Sequence, residues 1–563
     1  MIPTAVDWRE KGGDLTEIAL VFALMAAVAA LATLARRVGV PYPILLVIGG
    51  LALAFVPGLP PVELDPEIIF LVFLPPLLFG AAYFTSWRDF RRNLRPIGLL
   101  AVGLVLATTL GVAVVAHFVA GLPWPAAFVL GAIVSPTDAI AATAIAQSLG
   151  VPRRIVTILE GESLVNDAAA IVAFRIAAGV AAGTAVFSLS GAGLQFLVGA
   201  VGGVAVGLLA GWLVVRALTR IDDAPVEIVV SLLAPFAAYL AAEEGPHLVW
   251  HDLLGFPGEP FFSGVLAAVA AGLYVGRRSP MLFSSLSRIE GAAVWEVVVF
   301  LLNGLAFVLI GLQLPGVIEG LDGYTTGELA LYAVLVSLTV ALLRVAWVFP
   351  ATYLPRWMSR RLRERDPSPS WRSVVVISWA GMRGVISLAA ALSLPLTTEV
   401  GAPFPGRDLI LFLTFSVILA TLVVQGLSLP LIIRTLGLED DGSAEREEVR
   451  ARIGAAEAAL ARLEELEEEE WVREDTAERV RGMYGYRRSR FVAREKASTD
   501  DDAEGLDGDG LEERSASYQR LTRELVRAQR EQLVRLRDGG HISDEALRRV
   551  ERDLDLEEAR LET

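Results

Sequence analysis

The sequence has no cysteine in 563 residues and only four histidines. The missing cysteines exclude disulfide bridges, thiolate metal sites and thiol redox switches, and the histidines show no metal-ligand spacing. Charge is also scarce over most of the chain. Residues 437–563 hold 36 of the 64 acidic and 23 of the 49 basic residues, which leaves the first 436 residues with a net charge of −2. No stretch has the basic excess that is typical of nucleic-acid binding, so no nucleic-acid partner is expected.

The chain is instead rich in long apolar segments. It is 54% hydrophobic with a mean hydropathy of +0.54, which places it in the membrane class. Thirteen apolar segments are each close to the ~20 residues that a membrane-spanning helix needs. These predicted spans 1–13 are 15–36, 42–58, 67–84, 96–120, 124–148, 155–181, 191–218, 226–243, 261–276, 290–314, 327–354, 372–396 and 408–436. The fold class is therefore an all-α polytopic membrane protein with a tail at residues 437–563.

The loop charges predict the orientation. Nineteen arginines fall in alternate loops, whereas the other loops hold only Arg9, Lys11 and Arg407. Because positively charged loops stay in the cytoplasm, residues 1–14 are expected outside and the acidic, largely helical tail inside. Residues 1–14 lack a basic n-region, so we expect no signal cleavage. The predicted location is the inner (plasma) membrane.

Two spans contain residues that interrupt a helix. Span 5 carries S-P-T-D at 135–138, and span 12 carries Gly381, Arg383 and Gly384. They lie seven spans apart, so they run in opposite directions through the membrane. Interrupted segments in two inverted repeats are typical of the substrate site of a secondary transporter.

Asp167 lies near the middle of span 6, about 18 Å from its cytoplasmic end at 1.5 Å per residue. A carboxylate at this depth can be neutralised by a proton or by a small cation. Uncharged oxygens of Asn166, Ser163 and Thr137 suit a hard monovalent ion. The alternative is a structural hydrogen bond between helices. Asp138 either binds the ion through water or holds the interrupted helix together.

Further charges are expected at similar depths. Glu162 and Arg344 are predicted to form a structural ion pair, with a transport role for Glu162 as the alternative. Arg383 either neutralises open backbone ends of span 12 or lines the ion path. Arg175 is either a gate or an interfacial anchor.

Enzyme motifs are missing from the sequence. It has no G-x-S-x-G, Walker loop or H-E-x-x-H, and the two membrane aspartates lack a G-x-G-D context, so an enzyme is not expected. A cation channel or a non-transporting sensor remains an alternative to a transporter.

The motif E-G-E-S-L-V-N-D at 160–167, after S-P-T-D at 135–138, resembles sodium/proton antiporters of the cation:proton antiporter-1 family, including the NhaP-type bacterial exchangers. The resemblance covers about residues 15–436. It implies alternating exchange of Na⁺, or of Li⁺ or K⁺, for H⁺ without a cofactor. It also implies a homodimer in which a six-helix core moves against a dimerisation domain.

The resemblance assigns roles to individual residues. Asp167 would carry Na⁺ and H⁺ alternately, with Thr137 and Ser163 as further Na⁺ ligands. The asparagine of the family's motif corresponds to Asn166, and the aspartate of its Thr-Asp pair in span 5 corresponds to Asp138.

Two other positions follow from the same resemblance. Glu162 would pair with an arginine of span 11, here Arg344. Many relatives have T-D-P in span 5, whereas this chain has Ala139 after Asp138. Electrogenic relatives have two adjacent carboxylates where this chain has Asn166 and Asp167, so 1:1 electroneutral exchange is implied.

Overall fold

The computed structural model describes residues 11–57, 66–247, 262–321, 323–438, 442–469, 471–497, 508–539 and 541–559. The chain divides into two compact units, Met1–Glu439 and Asp440–Thr563. Within the described ranges both units are built from helices, and the only β feature is an isolated bridge between Thr397 and Pro403. The predicted outer segment 1–14 lies mostly outside the described residues, and the first helix begins at Lys11.

The helices of the first unit fall into two halves along the chain. The first half contains α1 (Lys11–Val38), α2 (Tyr42–Ala54), α3 (Ile69–Phe84), α4 (Trp87–Arg92), α5 (Leu94–Phe118), α6 (Trp124–Ile133), α7 (Ala139–Ser148) and α8 (Arg153–Ala182). The second half contains α9 (Leu189–Leu218), α10 (Ala224–Glu243), α11 (Gly264–Leu282), α12 (Ser285–Leu312), α13 (Leu314–Glu319), α14 (Thr326–Met358), α15 (Arg360–Arg365), α16 (Trp371–Trp379), α17 (Val385–Leu392) and α18 (Arg407–Leu436).

Each predicted span overlaps one of these helices or a pair of them. Eight helices of the described residues are long and apolar enough to cross a membrane by themselves. Several others are shorter, since spans 5 and 12 are each divided into two helices. The chain is therefore a multi-span helical membrane protein, while the number of thirteen crossings and the inverted repeats stay predictions.

Helix packing separates the first unit into two bundles. Helices α1–α3 and α9–α12 contact one another and form what we call the flanking bundle. Helices α5–α8, α14 and α16–α18 form the core bundle, whose interior contains the two divided spans. Helix α8 belongs to the core bundle, yet it also contacts α3, α9 and α11 of the flanking bundle.

Small residues allow helices α9 and α11 to pack closely against each other. A Cβ on Gly203 would lie 2.4 Å from the carbonyl oxygen of Ser263, and one on Gly207 would lie 2.2 Å from that of Ala267. Neither distance is possible between real atoms, so larger side chains at these positions would push the helices apart. Close packing through small residues is a usual basis of helix association in membranes.

The divisions of spans 5 and 12 follow from local chemistry. Pro136 has no N–H to donate and disfavours the helical conformation of Ser135, so α6 ends at Ile133. Gly381 and Gly384 weaken the helix on either side of Arg383, and the chain between Trp379 and Val385 is not helical.

The second unit contains four helices: α19 (Ser443–Leu466), α20 (Glu474–Ala497), α21 (Gly508–Asp538) and α22 (Asp544–Ala559). Helices α19 and α20 pack against each other and are joined by ion pairs such as Arg450–Glu495 and Arg488–Glu457. These pairs are exposed, so their contribution to stability is small.

Candidate ion-binding site

The two helix breaks lie against each other inside the core bundle. The backbone N–H of Asp138 donates to the carbonyl of Met382 at 2.8 Å. The Arg383 Nη1 atom donates to the carbonyl of Ser135 at 2.6 Å. A Cβ on Gly384 would lie 2.1 Å from Oδ2 of Asp138, so only glycine fits there. These contacts satisfy backbone groups that the missing helical turns leave open.

Asp138 is the N-cap of α7. Its Oδ1 atom accepts the backbone N–H of Ile140 at 2.8 Å. A carboxylate at a helix N-terminus satisfies an open donor and interacts favourably with the helix dipole. Asp138 therefore caps the second half of span 5, and it is also among the residues that line the cavity described below.

Thr137 connects the first break to α8. Its hydroxyl donates to Oε1 of Glu162 at 2.8 Å and accepts Nδ2 of Asn166 at 2.7 Å. The same amide group also donates to the Thr137 carbonyl at 3.2 Å. A hydroxyl has one donor and two acceptor positions, so one lone pair of Thr137 remains. The Oδ1 atom of Asn166 has no hydrogen-bond partner in the described part of the chain.

Glu162 and Arg344 form a buried bidentate ion pair between α8 and α14. The Nη1–Oε1 distance is 2.5 Å, the Nη2–Oε2 distance is 2.9 Å, and both side chains are 1% exposed. Arg344 Nε also donates to the carbonyl of Ile377 at 3.1 Å, near the end of α16. Through Arg344 and Thr137, Glu162 is thus linked to both divided spans.

Arg383 is fully buried between the two breaks. Besides its contact with Ser135, its backbone N–H donates to Oγ1 of Thr421 at 3.1 Å. Its Nε and Nη2 atoms have no hydrogen-bond partner among the described residues. Arg383 is not among the residues that line the cavity, and its side chain donates to a backbone carbonyl of span 5. Its role stays a prediction.

Asp167 lies on α8 and is 3% exposed. No hydrogen bond or ion pair to its carboxylate occurs among the described residues. It lines a cavity of about 800 Å³ together with Asp138, Ser163 and Thr137. The Ser163 hydroxyl accepts the backbone N–H of Ala139 at 3.4 Å, which brings it to the start of α7.

The cavity leads to the side of the arginine-rich loops. Its lining includes Arg36, Thr85 and Gln147, which lie at or just beyond the ends of α1, α3 and α7 beside those loops. A water-filled path from that side would therefore end at Asp167.

Sequence reasoning did not predict several residues of this cavity. Tyr42, Glu160 and Ser387 also line it. Glu160 could have been found from the sequence, because it is an acidic residue in an apolar span and lies only two residues before Glu162. Tyr42 and Ser387 had no signal, because each is an ordinary residue within an apolar segment.

A second polar cluster lies on the arginine-rich side, where Asp366 follows α15. Its carboxylate accepts hydrogen bonds from Arg154 and Arg356, each at 2.6 Å, and from Arg95 at 3.4 Å. Burial raises the pKa of Asp366, but the hydrogen bond and charge of Arg154, with the charges of the other two arginines, outweigh it and lower that pKa overall. The cluster joins the ends of α5, α8 and α14.

The described residues contain no group of three or more His, Cys, Asp or Glu side chains arranged for a metal ion. The cavity at Asp167 is lined instead by the carboxylates of Asp167 and Asp138 and by the hydroxyl-bearing residues Thr137 and Ser163. Such a set suits a transiently bound monovalent cation.

Comparison with known families decides the class of protein. The family described as "Sodium/hydrogen exchanger, transmembrane" matches residues 23–435, which is most of the chain. The chain belongs to the sodium/hydrogen exchanger family. The resemblance found in the sequence is thereby confirmed, and the family is one of ion antiporters and not of enzymes.

Relatives of this exchanger family match over most of the chain. A protein from Mycobacterium tuberculosis, named as an uncharacterized Na⁺/H⁺ exchanger, is 36% identical and covers 98% of this chain and 97% of its own length. A Bacillus subtilis protein named as a sodium, potassium, lithium and rubidium/H⁺ antiporter is 35% identical, covering 74% of this chain and 61% of its own.

The exchanger fold is also found among solved structures. The sodium proton antiporter MjNhaP1 from Methanocaldococcus jannaschii superposes with a TM-score of 0.60 at 19% identity. The match covers 74% of this chain and 98% of that protein. At this identity the likeness establishes the fold.

Proposed function

We propose that this protein exchanges Na⁺ for H⁺ by alternating access, with Asp167 as the shared carrier of both ions. The observation that carries the proposal is the position of the Asp167 carboxylate, which lies at the end of a cavity without a hydrogen bond or ion pair among the described residues. A buried carboxylate that has no fixed partner is stabilised by either a proton or a cation.

The proposed Na⁺ ligands are Asp167, Thr137 and Ser163. Thr137 offers its remaining lone pair, and Ser163 offers a hydroxyl at the same cavity wall. Asn166 positions Thr137 through two hydrogen bonds, and Asp138 holds the start of α7 while facing the cavity.

Exchange of K⁺ for H⁺ is the second candidate. The relative from Bacillus subtilis, whose name includes potassium, lithium and rubidium, favours it. A cation channel or a sensor is a weaker candidate, because neither needs the unpaired carboxylate at the cavity end.

The arginine-rich loops support a cytoplasmic opening of the cavity. In this orientation the N-terminus is outside and the tail inside, in the inner (plasma) membrane. We propose a homodimer formed through the flanking bundle, with the core bundle moving against it, and no cofactor takes part.

Proteoliposomes test the exchange and its stoichiometry together. With a pH gradient, addition of Na⁺ is expected to move protons without a net current, because a single carboxylate carries one Na⁺ in one direction and one H⁺ in the other. Li⁺ and K⁺ in place of Na⁺ define the selectivity. A current without a proton gradient would indicate a channel instead.

A membrane potential then tests electroneutrality. One uncompensated charge moved across 100 mV involves about 2.3 kcal/mol, so an electrogenic exchanger would respond strongly. A potential of either sign, set by K⁺ and valinomycin, is expected to leave the exchange equilibrium unchanged. A control without valinomycin shows whether K⁺ itself is exchanged. A shift with potential would mean that Asp138 carries a second proton.

The tail is proposed to regulate exchange without taking part in it, since residues 440–563 form a separate compact unit with an excess of acidic residues. A chain that ends at Gly442 is expected to retain Na⁺/H⁺ exchange with a shifted dependence on pH or cation concentration. Dye-based proton flux in everted vesicles measures both. Complete loss of exchange in a correctly folded truncation would contradict this role.

A further inference from the structure

The cavity that reaches Asp167 opens on the arginine-rich side, so something must close the opposite side. Helix α8 runs from Arg153 on the arginine-rich side, past Asp167, to Ala182 on the other. Arg175 lies eight residues beyond Asp167, about 12 Å further along the helix. Helix α10 ends at Glu243 on this same closed side, and α11 begins there at Gly264.

Arg175 and Glu243 form an ion pair between the two bundles. The Nη2–Oε2 distance is 2.9 Å, with side-chain exposures of 43% and 17%. The other carboxylate oxygen of Glu243 accepts the backbone N–H of Gly264 at 3.2 Å. One carboxylate therefore connects α8 of the core bundle with α10 and α11 of the flanking bundle.

An apolar seam fills the space around α8 near Asp167. Ala168 and Ile171 of α8, which follow Asp167 along the helix, belong to one buried cluster with Tyr239 of α10 and Val265 of α11. Val265 is 2% exposed. A dry contact of this kind excludes water and ions, whereas the cavity side is open.

We propose that Arg175 and Glu243 are the latch of the outer gate, which closes the path from Asp167 to the outside while the inner cavity is open. The inference rests on the alternating access proposed above. When the core bundle moves to expose Asp167 outward, the seam must open and the ion pair must break. The pair therefore favours the inward-open state over the outward-open state.

Seam opening can be measured without transport, because the natural chain has no cysteine. A single Val265→Cys variant places a thiol of similar size in the seam. The rate at which a membrane-impermeant maleimide labels it from the closed side reports how often the seam opens. Arg175→Gln and Glu243→Gln each remove the ion pair, and a glutamine at position 243 retains an oxygen for Gly264.

Each single glutamine variant is expected to raise the labelling rate about two- to fivefold, the range expected when a partly exposed ion pair is lost. The double variant should label no faster than the faster single variant, because both changes remove the same interaction. Unchanged labelling in both single variants, or multiplied effects in the double variant, would overturn the latch.

Two controls separate gate opening from general loosening. Val275→Cys lies on the same helix α11, fully buried inside the flanking bundle, and its labelling should not change. Arg407→Gln removes an arginine at the start of α18, whose side chain donates to the carbonyl of Leu394 and lies 3.8 Å from Asp408, and it should leave Val265→Cys labelling unchanged. Faster labelling of Val275→Cys in the latch variants would mean that the fold is destabilised, which also overturns the proposal.

Failure of the latch and failure of Na⁺/H⁺ exchange are distinguishable. Labelling does not depend on which ion is carried, so a K⁺/H⁺ exchanger would still show the response. The latch alone would be refuted if the protein exchanges Na⁺ for H⁺ normally but the labelling rate of Val265→Cys is the same with and without the glutamine substitutions at Arg175 and Glu243.

Discussion

Replacement of Asp167 by Asn is expected to abolish cation-driven proton movement. The amide has nearly the same shape as the carboxylate, but at neutral pH it neither binds a proton nor neutralises a bound cation. The other proposed ligands, Thr137 and Ser163, supply only uncharged oxygens. The other carboxylate beside them, that of Asp138, caps α7 through Ile140 and is not a proposed Na⁺ ligand, so the shared site for the two ions is lost.

The same substitution should leave the fold intact. Asp167 makes no hydrogen bond or ion pair with the described residues, so its replacement breaks no contact. A buried charge without a partner is costly, and its removal should leave the midpoint of thermal unfolding in detergent equal or higher. Asp408→Asn, at an exposed position at the start of α18, is the matched control and should exchange normally.

Dequenching of a pH-sensitive dye in everted vesicles measures the activity of both variants at equal expression. Near-normal Na⁺-driven proton movement in Asp167→Asn would contradict the assignment of Asp167 as carrier. Loss of activity with a lowered unfolding midpoint would point to misfolding instead. Only inactivity with an unchanged or raised midpoint supports the assignment.

The sequence predicted which segments are helical and where two of them are interrupted. Both breaks have a local cause, Pro136 in one and Gly381 with Gly384 in the other, so they can be derived without knowledge of the neighbours. Hydropathy likewise locates apolar segments, because it depends on each segment alone.

Side-chain partners were less predictable. Counting residues along a helix gives the depth of a group at 1.5 Å per residue, but not its rotation toward neighbouring helices. The similar depth of Glu162 and Arg344 was enough to predict an ion pair between them, and the structure shows this pair. It did not give Thr137 as the link from Glu162 to Asn166, because that contact depends on how the break folds back on α8.

The ion pair between Arg175 and Glu243 could not be predicted from the sequence for a related reason. The sequence alone allows two interpretations of Arg175, a gate or an interfacial anchor. Glu243 lies 68 positions further along the chain, in a different bundle, and nothing local distinguishes it from Glu244. Only the packing of α8 against α10 and α11 selects one of the two carboxylates.

The largest loss of stability is expected when one member of the Glu162–Arg344 pair is removed. Glu162→Ala or Arg344→Ala leaves a buried charge without its partner, which costs about 3–5 kcal/mol in comparable cases. Glu162→Ala should be the more severe change. It leaves Arg344 close to a second buried arginine, Arg383, and it also removes the acceptor of the Thr137 hydroxyl.

The double variant tests whether the two residues act as a pair. Glu162→Ala with Arg344→Ala removes both charges, so it should unfold at a higher temperature in detergent than Glu162→Ala alone. Arg360 and Glu364 provide the matched control, since they form an ion pair one helical turn apart with side-chain exposures of 84% and 63%. Their removal should change stability by less than about 1 kcal/mol.

Thermal unfolding of the purified protein, followed by loss of monodisperse protein, gives the four midpoints of the cycle. Additive effects of the two alanine substitutions would contradict a structural pair. Exchange activity in the double variant then separates the two interpretations of Glu162. If its role is structural, the rescued protein should recover activity in proportion to the folded fraction, because Asp167 and Ser163 are unchanged and Thr137 keeps its two hydrogen bonds with Asn166. A well-folded double variant without exchange would show that Glu162 takes part in transport itself.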